Sequence, residues 1–213
     1  MGIGAAVRRA AGPLEPALAG AYRSMFFDVP DFAARLASLD QAGSIGHVIE
    51  VGCGEGALVS ELVQRLPQAE FTGVDTAATV GRLFQGRLQQ PKFLQATAQD
   101  LLPSMAFAAD LVVLCDVLHH VPADERRSLL TAAAILVRPG GHLVVKEWVR
   151  LPTPAYWAGW ASDRFVTGDQ VNYGTRAQWM AEIASAAPHL ELQDEWELRP
   201  WACNHAFVLR LPS

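Results

Sequence analysis

Residues 48–56, Val48-Ile49-Glu50-Val51-Gly52-Cys53-Gly54-Glu55-Gly56, constrain this chain more than any other stretch. An apolar run stops in three alternating glycines, and Ala57-Leu58-Val59 then begins a helical pattern. A strand that ends in glycines and opens into a helix lets a ligand lie against bare backbone. Asp75 stands 23 positions past Gly52 and ends a second apolar run, Phe71-Thr72-Gly73-Val74. An acid about 20 residues on is where a ribose diol is commonly held. Together these features point to a nucleoside-containing cofactor.

The glycine spacing narrows the choice. Gly52-x-Gly54-x-x-Ala57 fits the dinucleotide fingerprint only loosely, because Gly56 is also glycine. Glu50, two residues before the first glycine, would repel a pyrophosphate and attract an amine or a cation. S-adenosylmethionine (SAM) has an amine and a sulfonium and no phosphate. The stretch Glu50-x-Gly52-x-Gly54-x-Gly56 resembles the E/D-x-G-x-G-x-G motif of class I SAM-dependent methyltransferases. Further segments resemble that family in series: Asp75, Thr97-Ala98-Gln99-Asp100-Leu101-Leu102-Pro103, Asp116-Val117-Leu118-His119-His120-Val121-Pro122, and Leu136-Val137-Arg138-Pro139-Gly140-Gly141. The resemblance covers roughly residues 20–210.

The resemblance implies roles for particular residues. Gly52, Cys53, Gly54 and Gly56 form the turn against ribose and the methionine part. Glu50 either helps hold the cofactor's amine or makes a structural bond to backbone. Asp75, followed by Thr76, takes the ribose hydroxyls or caps the next helix. Thr97, Ala98 and Gln99 frame adenine, although the family often has acids where Thr97 and Gln99 stand. Asp100 is an alternative adenine partner. Cys115 offers a carbonyl to the amine, Asp116 follows it at the rim, and Arg23 is either a surface arginine on an amphipathic helix, the favoured reading, or a partner for the cofactor's carboxylate. In the family's strand order, Gly52, Gly54, Asp75, Cys115, Asp116 and Glu147 ring one opening.

His119 and His120 are the candidate bases. A hydroxyl nucleophile needs one, and an imidazole titrates in the right range. Of the two, His119 is favoured, with Glu147 as its orienting partner. The other reading is that both only shape the wall. No metal is expected: the adjacent histidines should diverge, and no further ligand cluster is visible.

The elements alternate from residue 47 onward, as in βαβ units. Strands are expected near 47–51, 70–75, 91–95, 110–115, 142–148, 190–198 and 204–211. Helices are expected near 56–66, 77–88, 124–137 and 175–186, and across 13–39. Thr175-x-x-Gln178 is a capping-box pattern. The fold class is therefore α/β. The resemblance makes it a Rossmann-like sheet of seven strands, mostly parallel with an antiparallel final strand, and helices on both faces. The 213 residues read as a single methyltransferase domain. It divides into an N-terminal helical segment (1–43), a SAM-binding core (44–148), a substrate lid insertion (149–174), and a last helix with a C-terminal hairpin (175–213). The insertion is rich in Trp and Tyr, and Trp196, Trp201 and His205 are candidates for the same cavity. Such a wall suits a flat, apolar acceptor with polar ends.

Bulk properties exclude other classes. A net charge of −5 with no basic block gives no nucleic-acid footprint. No apolar run approaches the ~18 residues of a membrane span. Residues 1–9 turn basic too early for a signal peptide, and three cysteines make no disulfide framework, so a cytoplasmic protein is expected. The expected activity is methyl transfer from SAM to a small molecule, free or carrier-bound. A hydroxyl of an aromatic or polyketide-like compound is the first choice, and C- or N-methylation the second. An NAD-dependent oxidoreductase and a non-catalytic partner protein of the same fold are the rivals from other classes. Oligomeric state is not legible.

Overall fold

The computed structural model describes residues 12–41, 43–86, 90–168 and 170–213. The charged start of the chain lies outside them. Two helices come first, α1 (Glu15–Ser24) and α2 (Val29–Ala37). There follow β1 (His47–Val51), α3 (Ala57–Arg65), β2 (Glu70–Asp75), β3 (Lys92–Gln95), α4 (Ala98–Met105) and β4 (Ala109–Cys115). A 3₁₀ turn (Leu118–His120), α5 (Ala123–Leu136), β5 (Val137–Trp148) and α6 (Pro154–Ser162) come next. A π-helical turn (Asp163–Thr167), α7 (Arg176–Ala186), β6 (Glu191–Leu198) and β7 (Asn204–Arg210) complete the order.

The seven strands lie in the order β3-β2-β1-β4-β5-β7-β6, and β7 alone runs against its neighbours. This is the expected sheet, with the antiparallel hairpin at one edge. Central strands of a parallel sheet are buried on both faces. Accordingly, every residue of β4 but Cys115 is buried. Alternation then sorts side chains between two layers. Ile49, Val112 and Val145 pack with α4, α5 and α7, while Val48, Leu111 and Val144 pack with α2 and α3. Phe32 and Leu36 of α2 are fully buried in the second layer and fix that helix to the sheet.

Two expectations on secondary structure fail. The 77–88 helix is absent from its described part; bends and turns run from Thr76 to Leu83. The amides of Gly81 and Leu83 donate to the carbonyls of Gly54 and Glu55, so the segment folds onto the glycine turn instead of coiling on itself. Residues 98–105, read only as a binding motif, form α4. Thr97 and Asp100 make a reciprocal capping box there. The fifth strand also starts earlier than expected, at Val137, through a register shift opposite Ala109–Leu111. The capping box at Thr175 and Gln178 is present. No helix among the described residues is long and apolar enough to cross a membrane.

Candidate active site

Two cavities open at the carboxyl ends of β1 and β4, where strand order reverses. The first, about 340 Å³, lies on the side of α1 and α6. The second, about 730 Å³, lies beside β2 and the start of α4. Gly52, Asp116 and His120 belong to both.

The second cavity gathers Asp75, Thr76, Thr97, Ala98 and Gln99. Asp75 Oδ2 accepts from the Gly54 amide at 2.8 Å, and Oδ1 accepts from the Ala77 amide at 2.8 Å. The acid thus ties β2 to the glycine turn and starts a side-chain turn rather than a helix. Gln99 Nε2 donates to Ser128 Oγ at 3.0 Å, which fixes the amide. Asp100, the alternative adenine partner, lines neither cavity; its Oδ2 accepts from Thr97 N at 2.9 Å and Oγ1 at 2.7 Å in the cap.

Arg23, Glu50, Gly52, Cys53, Gly54 and Cys115 line the first cavity. The glycines divide their tasks otherwise than expected. A Cβ on Gly52 (φ +74°) would stand 2.4 Å from Val117 Cγ2, so the missing side chain makes room for Val117 while the backbone of Gly52 lines both cavities. Gly56 faces Phe93 and Gly81 and lines neither cavity. Only Gly54 (φ +51°) turns its bare face to open space. Glu50 is buried, and its carboxyl is pushed up to about 8, first by burial and further by Asp75; the Val59 amide and Arg23 oppose the shift. Glu50 Oε2 has no hydrogen-bond partner among the described residues. A buried carboxyl of that kind fits a ligand amine and disfavours a phosphate. Burial pushes the thiols of Cys53 and Cys115 up, which keeps both neutral.

His119 is buried in the wall of the first cavity, and its Nδ1 lies 2.6 Å from Glu147 Oε2. Glu147 Oε1 accepts from the amides of Val117 (3.0 Å) and Leu118 (2.6 Å). Burial disfavours the imidazolium, but the charge and hydrogen bond of Glu147 outweigh it, so the imidazole pKa is raised. With Nδ1 donating to the carboxylate, Nε2 is the basic nitrogen. Glu147 itself lines neither cavity; it stands behind His119 rather than on the opening. The histidines do not diverge. Their ring centroids are 4.1 Å apart, and Tyr173 lies 4.8 Å from His119 on the same terms.

Several residues here escaped the sequence reading. Lys146 is buried, and its Nζ sits 2.5 Å from Asp116 Oδ2 and 4.0 Å from the centre of the Phe27 ring. Arg126 is buried in α5 and donates to the carbonyls of Leu118 (2.8 Å), Val121 (3.0 Å) and Asn172 (2.9 Å), so it braces the histidine turn. The signal for both was a cation inside an otherwise apolar pattern, which folding leaves buried only when paired. A ligand cluster also exists, contrary to expectation: ligating atoms of Asp116, His119 and Glu147 lie within 4.8 Å of one another. Its oxygens already serve Lys146, the backbone and Nδ1. Trp196, Trp201 and His205 line neither cavity. Trp196 packs under α2, the indole of Trp201 donates to Met25 O, and His205 projects from β7 on the face opposite Asn204.

Comparison with known proteins agrees with this geometry. Residues 49–143 match a family model described as a methyltransferase domain. A trans-aconitate 2-methyltransferase of Azoarcus sp. is 28% identical over 176 residues, 78% of this chain and 64% of that protein. A ubiquinone biosynthesis O-methyltransferase of Acinetobacter baumannii is 32% identical over 120 residues, 53% of this chain and 49% of that protein. The chain thus spans from about half to just under two thirds of the length of these relatives. The solved 1,6-didemethyltoxoflavin-N1-methyltransferase of Burkholderia thailandensis, bound to S-adenosylhomocysteine, superposes with a TM-score of 0.65 at 17% identity. That match covers 98% of this chain and 89% of the other. The fold is the Rossmann-like fold of that solved methyltransferase, and the stretch 49–143, rather less than half of the chain, is what matches the methyltransferase-domain model.

Proposed function

We propose that this chain, bearing that domain, is a class I SAM-dependent methyltransferase that methylates a hydroxyl of a small aromatic or polyketide-like acceptor. SAM, when bound, supplies an electrophilic methyl whose leaving group is a neutral thioether. The residues of the second cavity would hold its nucleoside: Asp75 the ribose, with Thr76, Thr97, Ala98 and Gln99 around the adenine. Glu50, the Cys115 carbonyl and Arg23 would hold its amino-acid end beside Gly52, Cys53 and Gly54, and Asp116 would close the rim. Residues 1–213 act as a single methyltransferase domain in this reading, with 149–174 as the acceptor's lid, in the cytoplasm.

The observation that carries the reading is the buried His119–Glu147 pair in the wall of the first cavity. His119 Nε2 takes the acceptor's proton as the nucleophile attacks. Glu147 fixes the tautomer and stabilises the imidazolium that results. His120, at the junction of the cavities, is the weaker candidate. Rate beyond base assistance comes from alignment in the closed site. Titration calorimetry with SAM and with NAD separates this reading from an oxidoreductase, and release of S-adenosylhomocysteine separates it from a non-catalytic partner. Single-turnover methylation of phenolic acceptors by His119→Ala across pH 6–9 tests the base. An unchanged rate would redirect the reading to C- or N-methylation.

A further inference from the structure

Two buried polar atoms in the first cavity have no part in the chemistry above. Trp148 ends β5, Asn204 opens β7, and the two are register partners. Trp148 is 5% exposed and Asn204 0%, and both line the cavity. The indole Nε1–H and the amide Oδ1 have no hydrogen-bond partner among the described residues. The Asn204 amide is not free to turn over. Its Nδ2 donates to Phe26 O at 2.8 Å and faces Trp201 O at 3.4 Å, and a flipped amide would set oxygen against both carbonyls. Gly159 puts no side chain over the indole edge; a Cβ there would stand 3.4 Å from Nε1. Buried polar groups in native proteins are almost always satisfied, and a few convergent ones in an apolar pocket are what orient a ligand.

Resting on the methyltransferase reading, we infer that Trp148 and Asn204 form the anchoring subsite of the methyl acceptor, and that it holds an uncharged hydroxyl on a flat ring. A hydroxyl accepts from the indole and donates to the amide through one atom. A carboxylate only accepts, and would meet Asn204 Oδ1 with nothing to give. An ammonium only donates, and would leave the indole unsatisfied. Among the described residues, the cations of this cavity are Lys146, which Asp116 holds, and Arg23, which the reading above gives to the cofactor's carboxylate; Asp163 adds a further acid to the wall. Phe26 stands edge-on to Trp148 and Tyr173 stacks beside His119, which leaves walls for a planar body. One hydroxyl has one proton. A hydroxyl that donates to Asn204 cannot also donate to His119, so the acceptor has a second oxygen that is anchored and not methylated. A polycarboxylate acceptor is disfavoured on the same grounds.

The test uses the full chain loaded with S-adenosylhomocysteine, whose retention is measured first. Failure to bind it would sink the methyltransferase reading, whereas failure of the subsite in loaded protein leaves that reading standing. 2-Naphthol, 2-methylnaphthalene and 2-naphthoate are titrated while the ¹⁵N-indole resonances are followed. The Trp148 resonance is identified by its loss in Trp148→Phe. The expected result is a shift of that resonance by 2-naphthol, and binding about tenfold tighter than 2-methylnaphthalene. Trp148→Phe and Asn204→Ala should each abolish the difference, and 2-naphthoate should bind weakest. Equal binding, a preference that survives both substitutions, tightest binding of 2-naphthoate, or no binding of 2-naphthol overturns the inference. Should Asn204→Ala not fold, the wild-type shift and Trp148→Phe decide it alone.

Discussion

Two glycines two residues apart should fail in opposite ways when given a methyl group. At Gly52 the added Cβ meets Val117 Cγ2 at 2.4 Å, with φ at +74°. Left-handed backbone costs a non-glycine residue about 1–2 kcal/mol. Overpacking adds about 1–3 kcal/mol where the neighbour cannot yield. Val117 cannot yield easily, because its amide is held by Glu147 Oε1 at 3.0 Å. Gly52→Ala should therefore lose about 2–5 kcal/mol, a large share of the stability of an ordinary domain. At Gly54 nothing lies within 4 Å of the Cβ, and φ is +51°. Gly54→Ala should lose only the backbone part, about 1–2 kcal/mol. Its methyl projects into the first cavity, so affinity for S-adenosylhomocysteine should fall by about tenfold or more. Urea unfolding gives the stabilities and titration calorimetry the affinities. A double-mutant cycle with Val117→Ala isolates the clash and should return about 1–3 kcal/mol of coupling. If Gly52→Ala is as stable as wild type, or Gly54→Ala binds the nucleoside unimpaired, the division of labour within the turn is wrong.

Glu50 folds with its carboxyl raised from 4.5 to about 8. The folded state then holds a proton that the unfolded chain has lost, so stability should fall as pH rises from 4.5 to 8 and level off above that. An amine docking beside Glu50 should expel the proton. Calorimetry at pH 7 in buffers of different ionisation enthalpy should show about one proton released on S-adenosylhomocysteine binding, and none from Glu50→Gln. His119 is raised above 6.5 with Glu147 as the cause that prevails over burial, and only its neutral form is a base. Single-turnover rates should climb with pH through an apparent pKa above 6.5, and Glu147→Gln should move that limb to lower pH and slow the plateau. The same raised pKa gives stability that is present below 6.5 and lost as pH rises through the folded value. Arg126→Met should cost about 2–4 kcal/mol in urea unfolding, because several buried carbonyls lose their donor.

The central strands were legible because they are apolar runs broken by glycine and charge. Strand order and the antiparallel β7 followed from a resemblance, not from the pattern. The 77–88 helix was misread for a specific reason: its helical periodicity is local, while the carbonyls that capture Gly81 and Leu83 belong to the turn at Gly54 and Glu55. The glycine motif lies at the mouth of the two cavities, but its division of labour is not written in the motif itself. That division depends on Val117 and Phe93, which lie 65 and 37 residues away in the chain from the glycines they contact. Asn204 was overlooked beside His205 because one residue of strand register decides which of the two meets the cavity.

That parity also explains why the rim around His119 holds its shape. Lys146 and Glu147 are neighbours on β5, and successive strand residues point to opposite faces. Lys146 shares its face with Val144, Trp148 and, across the sheet, Glu50; Glu147 shares the other with Val145. From one face Lys146 holds the carboxylate of Asp116, a non-glycine residue at φ +57°. From the other, Glu147 holds the next two amides and the ring of His119. The chain leaving β4 is thus gripped on both sides of the sheet within four residues. A single glycine or alanine at either position would free one side only. Lys146→Met should release Asp116 from its strained backbone yet leave the His119 ring in place, and the pH limb of methyl transfer should move much less than in Glu147→Gln, and upward, because the uncompensated Asp116 charge raises the imidazole further. If instead the limb moves as far as it does in Glu147→Gln, the two grips are not independent.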